Sequence, residues 1–174
     1  MTLMKLVKIV LRKINNDTSI KYKNLRIGKN CQYSLDNLDG IAPQLIKMGD
    51  SCVIAPKAVI LTHDACLLPS TGKYIFKEVI IGNRVFIGYG AVIMPGVKIG
   101  DDCVIGSNSV VTKDVPSACV YAGIPAKHIC SLTELQDKNS ENLSVAAFDW
   151  ETEITPEKIV LQQEKLGVHN NNGK

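Results

Sequence analysis

The sequence predicts an all-β solenoid, and three observations carry that reading. From Ile81 an aliphatic residue recurs at every sixth position, through Ile87, Ile93, Ile99 and Ile105 to Val111. Glycine follows in the same slot at Gly82, Gly88, Gly100 and Gly106. The fourth place after each aliphatic is small or apolar: Val85, Ala91, Val97, Cys103, Ser109 and Val115. A helix repeats every 3.6 residues and a strand every 2, so a period of six fits neither. It fits rungs that bury their apolar faces only by stacking on one another.

The elements follow in order. In residues 1–16, Leu3, Leu6, Val7, Val10 and Ile14 form one helical stripe, and Lys5, Lys8 and Arg12 lie on another face. The lysines interrupt any secretory apolar stretch. Such a helix caps the open end of a solenoid or packs between subunits, or it lies peripherally on an anionic membrane surface. The solenoid spans 17–130. Ile27-Gly28 with Cys31 opens it, and Met48, Ile54 and Ile60 continue the grid with Cys52 and Ala58 in the small slot. Between Tyr33 and Met48 the register slips by three residues through Asp36, Asp39 and Gly40. A longer excursion, 64–79, forms an external loop, and about four coils result. Interruptions that a rigid repeat tolerates are where function concentrates. The extension 131–174 is polar. Residues 133–153 read as loop or disorder, and Thr155-Pro156-Glu157 starts a helix over 156–166 that stops at Gly167.

Composition narrows the function classes. One domain is expected from 174 residues of which 45% are hydrophobic. No run of eighteen apolar residues offers a spanning helix. Residues 1–130 hold 16 Lys/Arg against 9 Asp/Glu, a net +7, and residues 131–174 hold 4 against 8, a net −4. The basic body suits an anionic small ligand. Nucleic-acid binding is not supported, because no aromatic platform or binding motif accompanies the charge. Of the six cysteines, Cys31, Cys52 and Cys103 occupy the small slot, and no C-x-x-C pair exists. Reduced structural thiols and a cytoplasmic location are expected. Three histidines, His63, His128 and His169, are wrongly placed for a zinc site, so no metal is expected.

The run from Ile80 to Lys127, with SVVTKDVP and then AGIPAK, resembles the left-handed parallel β-helix (hexapeptide-repeat) acyltransferases. Within them it is similar to the maltose, galactoside and polysaccharide O-acetyltransferase group. The resemblance covers roughly residues 25–130. It implies a triangular prism of three parallel sheets and a homotrimer that binds acetyl-CoA in grooves between neighbouring prisms. It also implies a hydroxyl of a sugar, in a surface polysaccharide or its precursor, as acetyl acceptor. A nucleotide-linked amino sugar acetylated on nitrogen would use the same base and groove. A non-catalytic β-helix scaffold would share the coils but has no need of His63 beside these motifs.

The resemblance places the general base at His63, at the end of a coil and before the external loop. Imidazole suits that task, since its ordinary pKa of about 6.5 lies near working pH. A partner must fix the tautomer of the base. Asp64, Glu78 and a backbone carbonyl are candidates; Asp64 is favoured, with a substrate contact as its alternative role, although neighbouring strand side chains point to opposite faces. The family's loop carboxylate is missing from LLPSTGKYIFK. The resemblance further maps the oxyanion-binding N–H onto Tyr89. Gly88 and Gly90 would let the pantetheine arm approach the backbone. Ser107, Thr112 and Lys113 map onto the coenzyme A groove wall, with Lys113 and Lys127 facing its phosphates. For the acceptor, Asp36, Asn37 and Asp39 sit in the first interruption and Tyr74 on the external loop. The three bulge residues are equally ordinary turn formers.

Overall fold

The structure, a computed structural model, describes residues 22, 24–142, 157, 161 and 164. The amphipathic N-terminal segment and most of the C-terminal extension lie outside the described residues. Within the expected helix 156–166, Glu157, Leu161 and Glu164 are helical. The chain divides into two compact units, Met1–Leu135 and Gln136–Lys174.

The first unit is a stack of coils. The first coil contributes β1 (Arg26–Ile27), and the second β2 (Ile46–Met48), β3 (Val53–Ile54) and β4 (Val59–Ile60). The external loop follows, with β5 (His63–Asp64), a turn of helix α1 (Leu68–Thr71) and β6 (Ile75–Phe76). The third coil holds β7 (Val79–Ile81), β8 (Phe86–Ile87) and β9 (Val92–Ile93), and the fourth β10 (Lys98–Ile99), β11 (Val104–Ile105) and β12 (Val110–Val111). Like strands stack in parallel into three walls, in the orders β1-β2-β7-β10, β3-β8-β11 and β4-β9-β12. Gln32 and Leu38 extend the second and third walls into the first coil by bridging Val53 and Ile60. The strands β13 (Cys119–Gly123) and β14 (Ala126–Ser131) close the second wall as an antiparallel pair.

The grid residues fill the interior. Ile60, Ile87, Ile93 and Ile105 are fully buried, and so are the small-slot residues Cys52, Ala58, Ala91, Cys103 and Ser109. Each thiol in that slot donates to a corner carbonyl of the next coil: Cys31 to Gly49, Cys52 to Gly82 and Cys103 to Pro116. Burial pushes the Cys52 thiol up to about 11, so it remains a protonated, compact core group.

Corners turn on one residue with positive φ per coil, as at Ser51, Arg84 and Asp102, or at Lys57, Gly90 and Asn108. Along one corner a polar ladder accompanies the turn. The N–H of Lys29 donates to Asp50 Oδ1, Asp50 N–H to Asn83 Oδ1, and Asn83 N–H to Asp101 Oδ1, at 2.7, 2.9 and 2.7 Å. Asp101 also accepts the Asn83 side-chain amide at 3.1 Å. Asp101→Ala removes the acceptor for both Asn83 donors and should lower stability by about 1–2 kcal/mol. Thermal unfolding should then shift down by roughly 2–8 °C, and an unchanged midpoint would show that water replaces the ladder without cost.

One sequence expectation fails past the coils. Residues expected to be loop include α2 (Leu132–Lys138). Its start is a capping box: the Ser131 hydroxyl accepts the Glu134 N–H, and Glu134 Oε2 accepts the Ser131 N–H at 2.7 Å. The S-x-x-E spacing of Ser131 and Glu134 is the sequence signal of this helix start.

Candidate active site

His63 begins β5 where the second coil leaves the third wall, and the preceding Thr62 is fully buried. The first coil supplies what lies beneath it. Because Leu38 pairs with Ile60, the next residue of the first coil, Asp39, comes under Thr62 and His63. Asp39 is completely buried, and its Oδ2 lies 2.6 Å from His63 Nδ1. The carboxylate is saturated. Oδ1 accepts the N–H of Ile41 and Ala42 at 2.7 and 2.8 Å, and Oδ2 accepts the N–H of Thr62 at 2.8 Å and of His63 at 3.2 Å. Burial alone would raise its pKa, but the amides of Ala42, Thr62 and Ile41 and the His63 ring outweigh burial and hold it at about 2. An ionised Asp39 can only accept, so His63 Nδ1–H donates to it and Nε2 is the basic nitrogen. The His63 side chain stays 20% exposed.

The external loop folds back over this histidine. His63 pairs with Phe76 and Asp64 with Ile75 across the β5–β6 ribbon. The rings of Tyr74 and Phe76 stand 6.0 and 6.2 Å from the imidazole, and 6.0 Å from each other. Both aromatics are about half exposed, so they shield one side of His63 and leave an approach open.

The favoured orienting residue is corrected. Asp64 faces solvent, where its Oδ1 accepts the Cys66 N–H, and that bond holds its carboxyl below the ordinary range. Glu78 pairs instead with Lys47 at 2.7 Å. The three bulge residues part company: Asp39 holds the histidine and Asp36 is exposed. Asn37 is buried as a structural pin, accepting the Ser34 N–H and donating to the carbonyls of Ala55 and Ala58. Asn37 and Asp39 are both buried, and their polar atoms are engaged within the fold.

Tyr89 stands on a different edge. It follows β8 at the corner between the second and third walls, whereas His63 follows β4 at the corner between the third and first. Its ring is 43% exposed, with the Lys57 ammonium 5.4 Å from the ring centre. The backbone here is close-packed: a Cβ on Gly88 would fall 2.6 Å from the Ser107 nitrogen, and Gly90 has φ +68°. Ser107 continues the Tyr89 edge one coil further. Thr112 and Lys113 follow β12 on the His63 edge, and Lys127 lies on β14. All four are exposed. The candidate groups of a single chain therefore occupy two separate edges.

Six-residue rungs stacked in parallel into three walls are the fold of a hexapeptide-repeat protein. Residues 78–113 match the family described as bacterial transferase hexapeptide (six repeats), and the chain belongs to this family. Among its relatives, Protein CapG of Staphylococcus aureus is 37% identical over 142 residues, covering 78% of this chain and 82% of that protein. Galactoside O-acetyltransferase of Escherichia coli strain K12 is 37% identical over 122 residues. That match covers 67% of this chain and spans 58% of the length of the relative. A solved galactoside acetyltransferase in complex with coenzyme A shares the fold, with a TM-score of 0.52 at 24% identity over 71% of this chain and 74% of that one.

Proposed function

We propose that the protein is an acetyl-CoA-dependent acetyltransferase that acetylates a sugar hydroxyl, with His63 as general base and Asp39 as its positioning residue. The observation that carries this reading is the 2.6 Å contact between His63 Nδ1 and a fully buried, four-fold hydrogen-bonded Asp39. A purely structural histidine does not need an ionised acid beneath it while its side chain stays partly exposed. In the proposed step, Nε2 takes the proton of the acceptor hydroxyl as its oxygen attacks the thioester carbonyl. The carbonyl–sulfur bond then breaks, and the imidazolium returns its proton to the departing coenzyme A thiolate. The Tyr89 N–H is the proposed donor to the oxyanion, worth about 3–4 kcal/mol in acyl transfer. The names of the relatives support the reaction class, one a galactoside O-acetyltransferase and another a putative acetyltransferase of Bacillus subtilis.

The separation of His63 from Tyr89 supports a homotrimer of left-handed prisms in which the edge of one protomer meets the other edge of its neighbour. The outer faces agree with that arrangement. The second wall presents Val53, Phe86 and Val104 in register, and the third Val59, Val92 and Val110. The first wall presents Arg26, Lys47, Ile80 and Lys98 in register. Two apolar walls suit burial against copies, and the one with three basic side chains suits solvent. The reduced thiols fit a cytoplasmic enzyme.

Thiol release from acetyl-CoA, followed against a panel of hexoses, glycosides and nucleotide sugars, tests the reading. At least one sugar should raise release well above the acceptor-free rate. Binding of coenzyme A without turnover on any acceptor would favour a non-catalytic scaffold.

A further inference from the structure

The edge that carries Tyr89 also carries a cleft that neither the base nor the coenzyme-side residues occupy. Its volume is about 600 Å³; its lining is largely apolar, from residues 53–56 of the second coil, and the polar groups of its two walls come from residues 32–34, Asp36 and Asn37 of the first coil and Lys57 of the second. The first wall is rigid, because Asn37 accepts the Ser34 N–H at 2.7 Å and donates to Ala58 O at 2.8 Å. The second is fixed to the next corner, where Gly90 N–H donates to Pro56 O at 3.2 Å and Lys57 Nζ stands over the Tyr89 ring. Beyond Tyr89, its carbonyl accepts the N–H of Asn108 at 2.8 Å, next to Ser107. Cleft, Lys57, Tyr89 and Ser107 therefore form one continuous column. The segment that walls the cleft, Leu35–Asn37, runs directly into Asp39. A single interruption of the repeat builds both the cleft and the support of the histidine.

We propose that this cleft is the acceptor site and that it selects a pyranose carrying an anionic group, a carboxylate or a phosphate ester. The inference rests on the reading that Tyr89 marks the reacting carbonyl: the thioester then reaches Tyr89 from the Ser107 side and the sugar from the cleft side. The exposed Tyr33 ring offers an apolar platform, and Gln32, Ser34 and Asp36 offer hydroxyl partners. Lys57 is the one cation of the cleft walls. Among the described residues no carboxylate pairs with it. An ammonium in that position forms a hydrogen-bonded ion pair with an anion, whereas a neutral sugar offers it only an uncharged acceptor.

Calorimetric titration of the full chain with glucose, glucuronic acid and glucose 1-phosphate tests the inference. Both acids should bind about tenfold tighter than glucose, the size expected of one added charge-assisted bond. Lys57→Met should abolish the difference and Lys57→Arg should keep it, with thermal melts confirming that each variant is folded. A gain for one acid alone keeps the proposal and identifies the anion. Equal affinity for all three sugars, or a preference that survives Lys57→Met, overturns it. Coenzyme A titrated into the same protein reads the underlying assignment separately. If coenzyme A binds and the sugars show no preference, the cleft inference alone fails. If coenzyme A does not bind, the acetyltransferase reading fails with it.

Discussion

His63→Ala should lower turnover of acetyl-CoA with acceptor by about 10²–10⁴-fold, the contribution of a positioned base to proton transfer. The fall should lie in kcat, because the imidazole moves the proton from the acceptor hydroxyl to the leaving thiolate and is not assigned to binding the coenzyme. Stability should change little by comparison. The His63 side chain is partly exposed, and its loss leaves Asp39 with four backbone amides still bound. Asp39 would then retain a charge balanced by N–H dipoles, so the fold has no buried orphan to accommodate. Steady-state rates on a variant whose thermal midpoint stays near that of wild type are the measurement. Turnover equal to wild type in that folded variant would remove His63 from the reaction.

Substitution at Asp39 should affect both stability and rate. Asp39→Ala leaves the buried N–H groups of Ala42 and Thr62, and the part-buried one of Ile41, without their acceptor. At about 1–3 kcal/mol for each buried donor left unsatisfied, a loss of about 3–5 kcal/mol and a fall of roughly 10 °C in the thermal midpoint are expected. Asp39→Asn is the sharper probe. Its carbonyl still serves Ile41 and Ala42, but its NH₂ faces the Thr62 N–H and the His63 Nδ1–H. The ring loses its acceptor and its fixed tautomer, so kcat should fall about 10²-fold while KM for acetyl-CoA stays near wild type.

The acid dependence separates positioning from packing. Asp39 has a folded pKa of about 2 against an ordinary 3.8, so its stabilisation is fully present above about pH 4 and is lost as pH falls towards 2. The shift corresponds to about 2 kcal/mol. Denaturant melts of wild type at about pH 5 and about pH 2.5 should differ by most of that amount, and Asp39→Asn should lack this component. The same acid loss in both proteins would mean that other carboxylates carry it.

How much of this was legible depends on the range of the signal. The coils were readable because each rung repeats a local pattern. Ile87 and Ile93 predict their own burial, and Cys52 and Cys103 fit the small slot in which they are found. His63 stood out because the repeat breaks immediately after it. In the sequence Asp39 reads as a turn residue or a sugar contact. Its partner lies 24 positions along the chain and meets it only because Leu38 stacks under Ile60. The three-residue slip concealed that register. An acid directly following an inward-facing residue, one coil beneath a histidine, is the available signal. Adjacency in sequence pointed instead to Asp64, which strand geometry turns outward. Phe76 was missed for a related reason, since only the antiparallel β5–β6 ribbon brings it to the imidazole.

Mass spectrometry of the acceptor after incubation with acetyl-labelled coenzyme A tests the central claim most directly. Wild type should yield labelled O-acetyl sugar in equal amount to the free thiol released, and His63→Ala should yield almost none over the same interval. Thiol released without an acetylated sugar, or labelled sugar formed equally by both proteins, would contradict direct transfer assisted by the His63–Asp39 pair.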